Sequence, residues 1–342
     1  NLGFRRLADD YCLYKLNNQD IYLIIYVDDI LLIYDKALRT TAEDIIAKLK
    51  SNLKIRVLGP VDDLLGIIIR RDRVNRRTTL DQSQHVKAII DKAGMTDCKA
   101  VSTPLPRNAR FSKTDHNDAN ATTESEKKWY RSILASCIYI QMWTRPDIAF
   151  AVSKLSKFMQ NPAAVHIEYL KHLIKYLKHT MNHCLIYDFS KPVPREGLYG
   201  YYDAAHMDDI DTRRSTMGYI FFFEGCAISW KSKLHSYVTL STNNSEYVAS
   251  SKAAREAKWF YNLMISIDMK DAVSPIALFS DSTGNIALNY NPVNHESNKH
   301  AELADHYARE LVDRGIITIT FVPTKDMIAD MLTKLLPCLL YT

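Results

Sequence analysis

The chain has 342 residues, 47% of them hydrophobic, which is enough for two or three domains with sizeable cores. Its 44 Lys and Arg against 39 Asp and Glu give a net charge of +5, which permits a nucleic-acid partner without requiring one. Six dispersed cysteines without a C-x-x-C pair indicate reduced, intracellular thiols rather than a zinc ribbon or a disulfide framework.

No apolar run is long enough to span a bilayer, and no signal peptide is visible at the N terminus. We therefore expect no membrane partner. Because the chain does not begin with Met, we expect a fragment or a processed product.

The first predicted elements are strands, and a pair of adjacent carboxylates interrupts the second of them. Tyr11–Tyr14 and Ile21–Ile33 have the apolar, β-prone composition of strands. Tyr26-Val27-Asp28-Asp29 predicts a hairpin tip within the second run. Asp is poor in strands and costly to bury unpaired, so a divalent cation held for phosphoryl transfer would explain the pair. A solvated Val-Asp-Asp turn explains it equally well.

The middle of the chain is predicted to contain a second hairpin and several helices. In chain order the elements are a helix at Thr41–Leu49, a hairpin of Leu65–Ile69 and Thr78–Leu80, a helix at Gln82–Ala93 and a helical block at 126–180. Proline-containing segments at 102–125 and 191–197 are the predicted linkers. Lys171, Lys175 and Lys178 form either a solvated helix face or a track for nucleic acid.

The C-terminal part has a mixed α/β pattern in which four acidic residues occupy element ends. The predicted strands are 198–202, 217–223, 226–230, 275–280 and 316–322, and the predicted helices are 243–265 and 299–313. Asp203 and Asp281 each end a strand. Glu246 lies in the first turn of a helix, and Asp330 lies in a final short helix. Converging carboxylates can hold two Mg²⁺ or Mn²⁺ ions about 4 Å apart for phosphodiester hydrolysis.

Each acidic residue also has a simpler explanation. Glu246 is a charge that the helix dipole favours at an N terminus, and Asp281 is a helix cap. Four acidic residues in this order nevertheless favour the metal site. His295, His300 and His306 are irregularly spaced and lack a nearby Cys, so surface histidines or phosphate contacts explain them better than a metal cluster.

A series of short motifs runs through the whole chain in a fixed order. In the N-terminal half they are Asp10-Tyr11-Cys12-Leu13-Tyr14, Tyr26-Val27-Asp28-Asp29, Leu65-Gly66-Ile67, Ser102-Thr103-Pro104 and Thr144-Arg145-Pro146-Asp147. In the C-terminal half they are Arg214-Ser215-Thr216-Met217-Gly218-Tyr219, Ile228-Ser229-Trp230-Lys231-Ser232-Lys233, Glu246-Tyr247-Val248-Ala249 and Ala329-Asp330-Met331-Leu332-Thr333-Lys334. With these motifs the sequence resembles the Pol polyprotein of copia-type LTR retrotransposons, from the second half of the reverse transcriptase through RNase H.

The resemblance implies an α/β (α+β) chain in three parts. These are a partial reverse-transcriptase palm and thumb at 1–115, a helical connection region at 116–195, and an RNase H-like domain at 196–342 with a mixed five-stranded sheet and flanking helices. It implies that Asp28 and Asp29 are two of three catalytic aspartates, the third belonging to a strand upstream of this chain. We therefore expect an incomplete polymerase site, and an RNase H site that uses Asp203, Glu246, Asp281 and Asp330.

Two departures from the family pattern lie beside these acidic residues. The family's Asp-Ala-Asp-Trp is Asp203-Ala204-Ala205-His206 here, and its Ser-Ser-Thr-Glu-Ala-Glu-Tyr is Ser241-Thr242-Asn243-Asn244-Ser245-Glu246-Tyr247. Both changes keep the residue that aligns with the catalytic acid, so we expect a competent RNase H site.

The implied partners are RNA–DNA hybrid and template–primer nucleic acid, together with the upstream part of the polymerase or a second Pol subunit. A hybrid would be recognised through its backbone and 2′-hydroxyls, with little sequence specificity. Candidate contacts are Tyr26, Lys231, Lys233 and Lys299, although solvated lysines are an equally good interpretation. The rival hypothesis is a non-catalytic, nucleic-acid-binding remnant of a degenerate element. An integrase or protease piece is disfavoured, since a zinc-binding His/Cys set and a short Asp-Ser/Thr-Gly motif are missing.

Overall fold

The computed structural model describes residues 2–115, 121–193, 195–269, 275–290 and 306–337. These residues form thirteen strands in three sheets and eight α-helices, which confirms the predicted α/β class. The chain divides into two compact units, Asn1–Asp62 with Lys258–Val273, and Asp63–Ala257 with Ser274–Thr342. The boundaries at 115 and 195 stay predictions.

The first unit contains an antiparallel sheet of four sequential strands. They are β1 (Phe4–Arg6), β2 (Leu13–Leu16), β3 (Ile21–Tyr26) and β4 (Asp29–Tyr34), and α1 (Arg39–Asn52) follows them. Ile21 and Leu23 of β3 and Ile45 of α1 are buried. The end of a long helix, α6 (Thr242–Ser266), also belongs to this unit: its Trp259 donates a hydrogen bond to the carbonyl of Asp9.

The second unit begins with another antiparallel sheet of four strands. In order they are β5 (Asp63–Leu64), β6 (Ile67–Asp72), β7 (Arg77–Asp81) and β8 (Leu185–Asp188). The sequence pattern predicts the β6–β7 hairpin but not β8. Leu-Ile-Tyr-Asp is too short to read as a strand from its pattern, and it becomes one by pairing with β7, about a hundred residues earlier.

Four helices of the second unit share one hydrophobic core. They are α2 (Ser83–Lys92), α3 (Glu124–Trp143), α4 (Ala149–Ser156) and α5 (Ala164–His179). Arg145, which is buried between α3 and α4, pairs with Asp147 at 2.7 Å and donates to the carbonyl of Thr180 after α5. Lys178, one of the three lysines predicted to form a solvated face or a nucleic-acid track, donates to the carbonyls of Thr96 and Cys98. This lysine therefore has a structural role.

The last sheet has five strands and is mixed. Its strands are β9 (Leu198–Ala205), β10 (Thr216–Phe223), β11 (Cys226–Leu234), β12 (Ile276–Ser280) and β13 (Ile317–Phe321), in the order β11-β10-β9-β12-β13. β10 is antiparallel to β9 and β11, whereas β12 is parallel to β9 and β13. The predicted mixed five-stranded sheet is therefore confirmed.

Helices and 3₁₀ turns accompany this sheet. Besides α6 they are α7 (Thr283–Tyr290), α8 (Tyr307–Asp313) and the 3₁₀ turns Thr324–Asp326 and Ile328–Leu332. The predicted helix at 299–313 is described only from residue 306 onward. Because β9 and β12 are parallel neighbours, their carboxyl ends lie at the same edge of the sheet. Among the described residues, the helices are all too short or too polar to cross a membrane.

Candidate metal centre

Three acidic side chains from separate elements meet beside the carboxyl ends of β9 and β12. Asp203 comes from β9, Glu246 from the first turns of α6, and Asp281 directly follows β12. One carboxylate oxygen of each residue lies within 4.8 Å of the other two. Asp203 and Glu246 are 1% and 4% exposed, and Asp281 is partly exposed. Two acids of the cluster are therefore buried, and solvent reaches the third, Asp281.

The electrostatics of this cluster disfavour three negative charges. Burial, together with the nearby Asp203 and Asp281, raises the pKa of Glu246 to about 9. The Oε2 atom of Glu246 is buried and accepts no hydrogen bond among the described residues. An unpaired buried carboxylate oxygen is costly, and a divalent cation would remove that cost. Since hard cations such as Mg²⁺ prefer oxygen ligands, the donor set fits such an ion.

Asp330 lies next to this cluster but outside the group of three. It sits in the Ile328–Leu332 turn, where burial raises the pKa of its carboxyl to about 6, and the charges of Asp203 and Asp281 add to the shift. Lys334 donates to Asp330 at 2.7 Å, and its Nζ is 3.4 Å from Asp203. The Thr333 hydroxyl donates to the other oxygen of Asp203. Lys334 thus links the fourth predicted acid to the first.

Gly218 allows the Ile328–Leu332 turn to approach the sheet. It lies on β10 directly opposite Asp203. A Cβ atom at Gly218 would lie 2.5 Å from the Leu332 Cβ and 3.0 Å from the Thr333 Cγ2. A larger residue at this position would therefore push Thr333 and the turn away from Asp203.

A cluster of buried hydroxyl groups fixes the start of α6, which carries Glu246. Ser245 Oγ is 2.6 Å from the Thr239 hydroxyl and 3.0 Å from the Ser215 hydroxyl. His206, which replaces the family's Trp, lies 2.8 Å from the same oxygen through its Nδ1 atom. Because Ser245 directly precedes Glu246, this network positions the acid relative to β9 and β10.

Comparisons with known proteins relate this chain to reverse transcriptases and retrotransposon polyproteins. Residues 1–107 match the family model described as reverse transcriptase (RNA-dependent DNA polymerase). The chain is 36% identical over 98% of its length to the retrovirus-related Pol polyprotein from transposon TNT 1-94 of Nicotiana tabacum. Over nearly its whole length the chain is therefore similar to the Pol polyproteins of plant copia-type retrotransposons. It spans about a quarter of the length of that tobacco polyprotein.

Two solved structures are also similar to this chain. One is a foamy viral protease–reverse transcriptase in complex with RNA/DNA hybrid, with a TM-score of 0.48 and 14% identity over 92% of this chain and 37% of that one. The other is RNase H1 from the halophilic archaeon Halobacterium salinarum, with a TM-score of 0.29 and 20% identity over 40% of this chain and 93% of that one.

The Tyr26-Val27-Asp28-Asp29 motif, which the resemblance assigns to a polymerase site, lies at an exposed hairpin tip. Tyr26 ends β3 and pairs with Asp29 at the start of β4, so Val27 and Asp28 form a two-residue turn. All four residues are exposed, and Val27 has a positive φ of 52°, which is unusual for a β-branched residue. Within the described part of the chain, Asp28 and Asp29 have no third acid or histidine close enough to complete a metal site.

The predicted nucleic-acid contacts of the chain are spread over separate elements. Lys231 and Lys233 are exposed on β11, at the edge of the five-stranded sheet. Lys299 lies outside the described residues, as do His295 and His300. His306 is described, and its Nδ1 atom lies 2.8 Å from the hydroxyl of the buried Tyr247. The structure therefore does not test whether the three histidines form a cluster.

Sequence reasoning missed three residues that contact the acid cluster. Thr333 and Lys334 contact Asp203, and the Thr324 hydroxyl donates to Asp281 at 2.8 Å. Their signal was present: Thr333-Lys334 directly follows the turn that contains Asp330, and Thr324 follows a predicted strand. Thr333 and Thr324 act on acids more than forty residues away, and local sequence does not show that proximity. The Lys334–Asp330 pair, in contrast, is a local i, i+4 contact.

Proposed function

We propose that this protein hydrolyses the RNA strand of RNA–DNA hybrids at the acid cluster, with Mg²⁺ or Mn²⁺ held by Asp203, Glu246, Asp281 and Asp330. The observation that carries the proposal is the meeting of three carboxylates within 4.8 Å around a buried Glu246 oxygen that has no hydrogen-bond partner. The similarity to retrotransposon Pol polyproteins supports the choice of a nucleic acid as substrate.

The three acids that lie within 4.8 Å of one another have separate parts in this proposal. Asp203 is held in one orientation by the Thr333 hydroxyl, so it forms the fixed side of the site. Glu246 supplies a buried oxygen whose cost of burial favours ion binding. Asp281 is partly exposed and supplies the side that a substrate can approach. Bound divalent ions would supply Lewis acidity for the attacking water and the leaving oxygen.

Substrate recognition is proposed to depend on shape. Lys231 and Lys233 on the edge strand β11 are available for phosphates, because both side chains are exposed. An A-form-like hybrid differs from duplex DNA in its 2′-hydroxyls, which lets a backbone reader select it without reading bases.

For the hairpin of the first unit we propose a metal-ligand role in polymerisation. Asp28 and Asp29 are adjacent and exposed, as ligands that must face a nucleotide would be. The role requires a third carboxylate that the described residues do not bring to them.

Cleavage of a labelled RNA–DNA hybrid in Mg²⁺ or Mn²⁺ tests the hydrolytic proposal, with duplex DNA and duplex RNA alongside. We expect hybrid-only cutting that falls about a hundredfold or more in Asp281→Asn. Asp326→Asn is the matched control, because Asp326 is an exposed acid in the nearby 3₁₀ turn. Failure of well-folded protein to cut hybrid would favour the non-catalytic remnant, and equal cutting by Asp281→Asn would reject this acid cluster as the site.

A further inference from the structure

The tip of the β6–β7 hairpin concentrates positive charge. Residues 70–77 contain five arginines and one aspartate, a net charge of +4 in a chain whose total is +5. All five arginines are exposed; they are Arg70, Arg71, Arg73, Arg76 and Arg77. Like charges repel at this spacing, so the cluster is unfavourable for the hairpin alone.

Neighbouring acids neutralise only part of this charge. Arg70 pairs with Asp81, and Arg77 lies 3.8 Å from Asp188. Asp72 accepts hydrogen bonds from the backbone of Asn75 at 2.9 Å and from its side chain at 2.6 Å, so it is used in forming the turn. Within the described part of the chain, Arg71, Arg73 and Arg76 have neither an ion pair nor a side-chain hydrogen bond.

An exposed aromatic ring lies among these arginines. Phe189 follows β8, and its backbone N–H donates to the carbonyl of Arg76 at 3.0 Å, which continues the β7–β8 pairing to the hairpin tip. Phe189 is 41% exposed. Together with Arg71, Arg73, Arg76 and Arg77 it lines an open cavity of about 330 Å³. We call this cavity and its lining the arginine cleft.

We propose that the arginine cleft binds nucleic acid, holding the phosphodiester backbone with Arg71, Arg73 and Arg76 and one base against Phe189. Guanidinium groups form forked hydrogen bonds to phosphate oxygens, and an aromatic face stacks on a base of any sequence. An acidic peptide would satisfy the arginines but would leave the Phe189 ring without a stacking partner. The cleft therefore fits a nucleic acid better than an acidic protein.

Binding of a fluorescein-labelled RNA–DNA hybrid with a single-stranded overhang tests this site, measured by anisotropy over a series of salt concentrations. The full chain is used in EDTA, so that no cleavage occurs. Arg73→Gln/Arg76→Gln should weaken binding about tenfold and reduce the slope of log K against log salt by roughly 1.5 to 2. The matched control is Arg314→Gln/Lys127→Gln, which removes two charges paired with Glu310 and Glu124 in the same unit. The control should bind like the parent chain.

Phe189→Ala separates stacking from charge. It should weaken binding to the overhang about tenfold with an unchanged salt slope, because a base contact releases no counterions. An unchanged affinity in both cleft variants would overturn the proposal. Displacement of the hybrid by poly-glutamate as readily as by an unlabelled oligonucleotide would also overturn it, in favour of an acidic protein partner. The site rests on the proposed function only for the choice of hybrid as probe, and binding in EDTA is independent of whether the acid cluster cuts.

Discussion

At the scale of single residues, the side chain of Lys334 supplies a positive charge beside two of the proposed metal ligands. Its ammonium group lies 2.7 Å from Asp330 and 3.4 Å from Asp203, two of the four proposed ligands. Its long side chain is partly exposed, so it can leave without unfolding the turn. Lys334 therefore offsets charge repulsion when no ion is bound, and it competes with an ion for the same carboxylates.

Replacement of this lysine should strengthen ion binding. We expect Lys334→Met to raise the Mg²⁺ affinity several-fold and to lower stability in EDTA by about 1 kcal/mol, since the acids lose their counter-charge. Titration calorimetry with Mg²⁺ measures the affinity, and Lys325→Met, which removes an exposed lysine from the preceding turn, is the control. A weaker Mg²⁺ affinity in Lys334→Met would mean that the lysine supports the ion rather than competing with it.

His235 makes the stability of the second unit sensitive to acid. It is buried, and both ring nitrogens lack a hydrogen-bond partner among the described residues. Burial, with a smaller effect of Lys252, lowers the pKa of His235 to about 4 from an ordinary 6.5. Below pH 6.5, His235 therefore binds a proton in the unfolded chain but stays neutral in the folded chain until the pH approaches 4. Stability should be lost as the pH falls from 6.5 to 4, by about 3 kcal/mol at most.

His235→Leu should remove this part of the pH dependence. Urea unfolding at pH 7.5, 6 and 5 gives the free energy of unfolding of each protein. As the pH falls, the free energy of unfolding of His235→Leu should decrease less than that of the parent chain, because leucine carries no titrating group. Parallel pH profiles would show that His235 titrates normally.

At the scale of elements, the acids could be predicted because each follows a recognisable pattern. Asp203 and Asp281 come at or near the ends of apolar strands, and Glu246 begins a long helical pattern. The fold that the resemblance implies places Asp203, Glu246 and Asp281 in one region, and the structure has these three acids within 4.8 Å of one another. β8 could not be predicted, since four residues carry no period and its stability comes from pairing with β7. The same limit hid Thr333 and Thr324, whose roles depend on contacts between distant elements.

Gly218 provides a test of one such contact between elements. Gly218→Ala should place a methyl group against Leu332 and Thr333, displace the turn and weaken the Thr333–Asp203 hydrogen bond. We expect a cost of about 1–3 kcal/mol and a reduced Mg²⁺ affinity. Gly200→Ala is the matched control, because its Cβ would meet the Phe221 ring at 2.9 Å on the same sheet. It should cost stability without changing Mg²⁺ binding, measured by calorimetry, and an equal loss of Mg²⁺ affinity in both variants would reject the role given to Gly218.

At the scale of the whole molecule, the two acidic motifs belong to different compact units. Asp28 and Asp29 lie in the first unit, whereas the acid cluster and the arginine cleft lie in the second. The second unit thus carries both the proposed hydrolytic site and most of the net positive charge. An ion-binding response of the chain should therefore depend on one unit and not on the other.

Thermal unfolding in Mg²⁺ tests this separation. An ion that binds only the folded state, at ten times its dissociation constant, stabilises that state by about 1.4 kcal/mol, which raises the melting temperature by a few degrees. Asp203→Asn/Asp281→Asn should abolish the increase, because it removes two of the three carboxylates that lie within 4.8 Å. Asp28→Asn/Asp29→Asn, which removes the same charge from an exposed turn, should leave the increase intact. Scanning calorimetry measures the melting temperature of each variant with and without Mg²⁺. If Mg²⁺ still raises it in Asp203→Asn/Asp281→Asn but not in Asp28→Asn/Asp29→Asn, the principal metal site lies at the hairpin of Asp28 and Asp29.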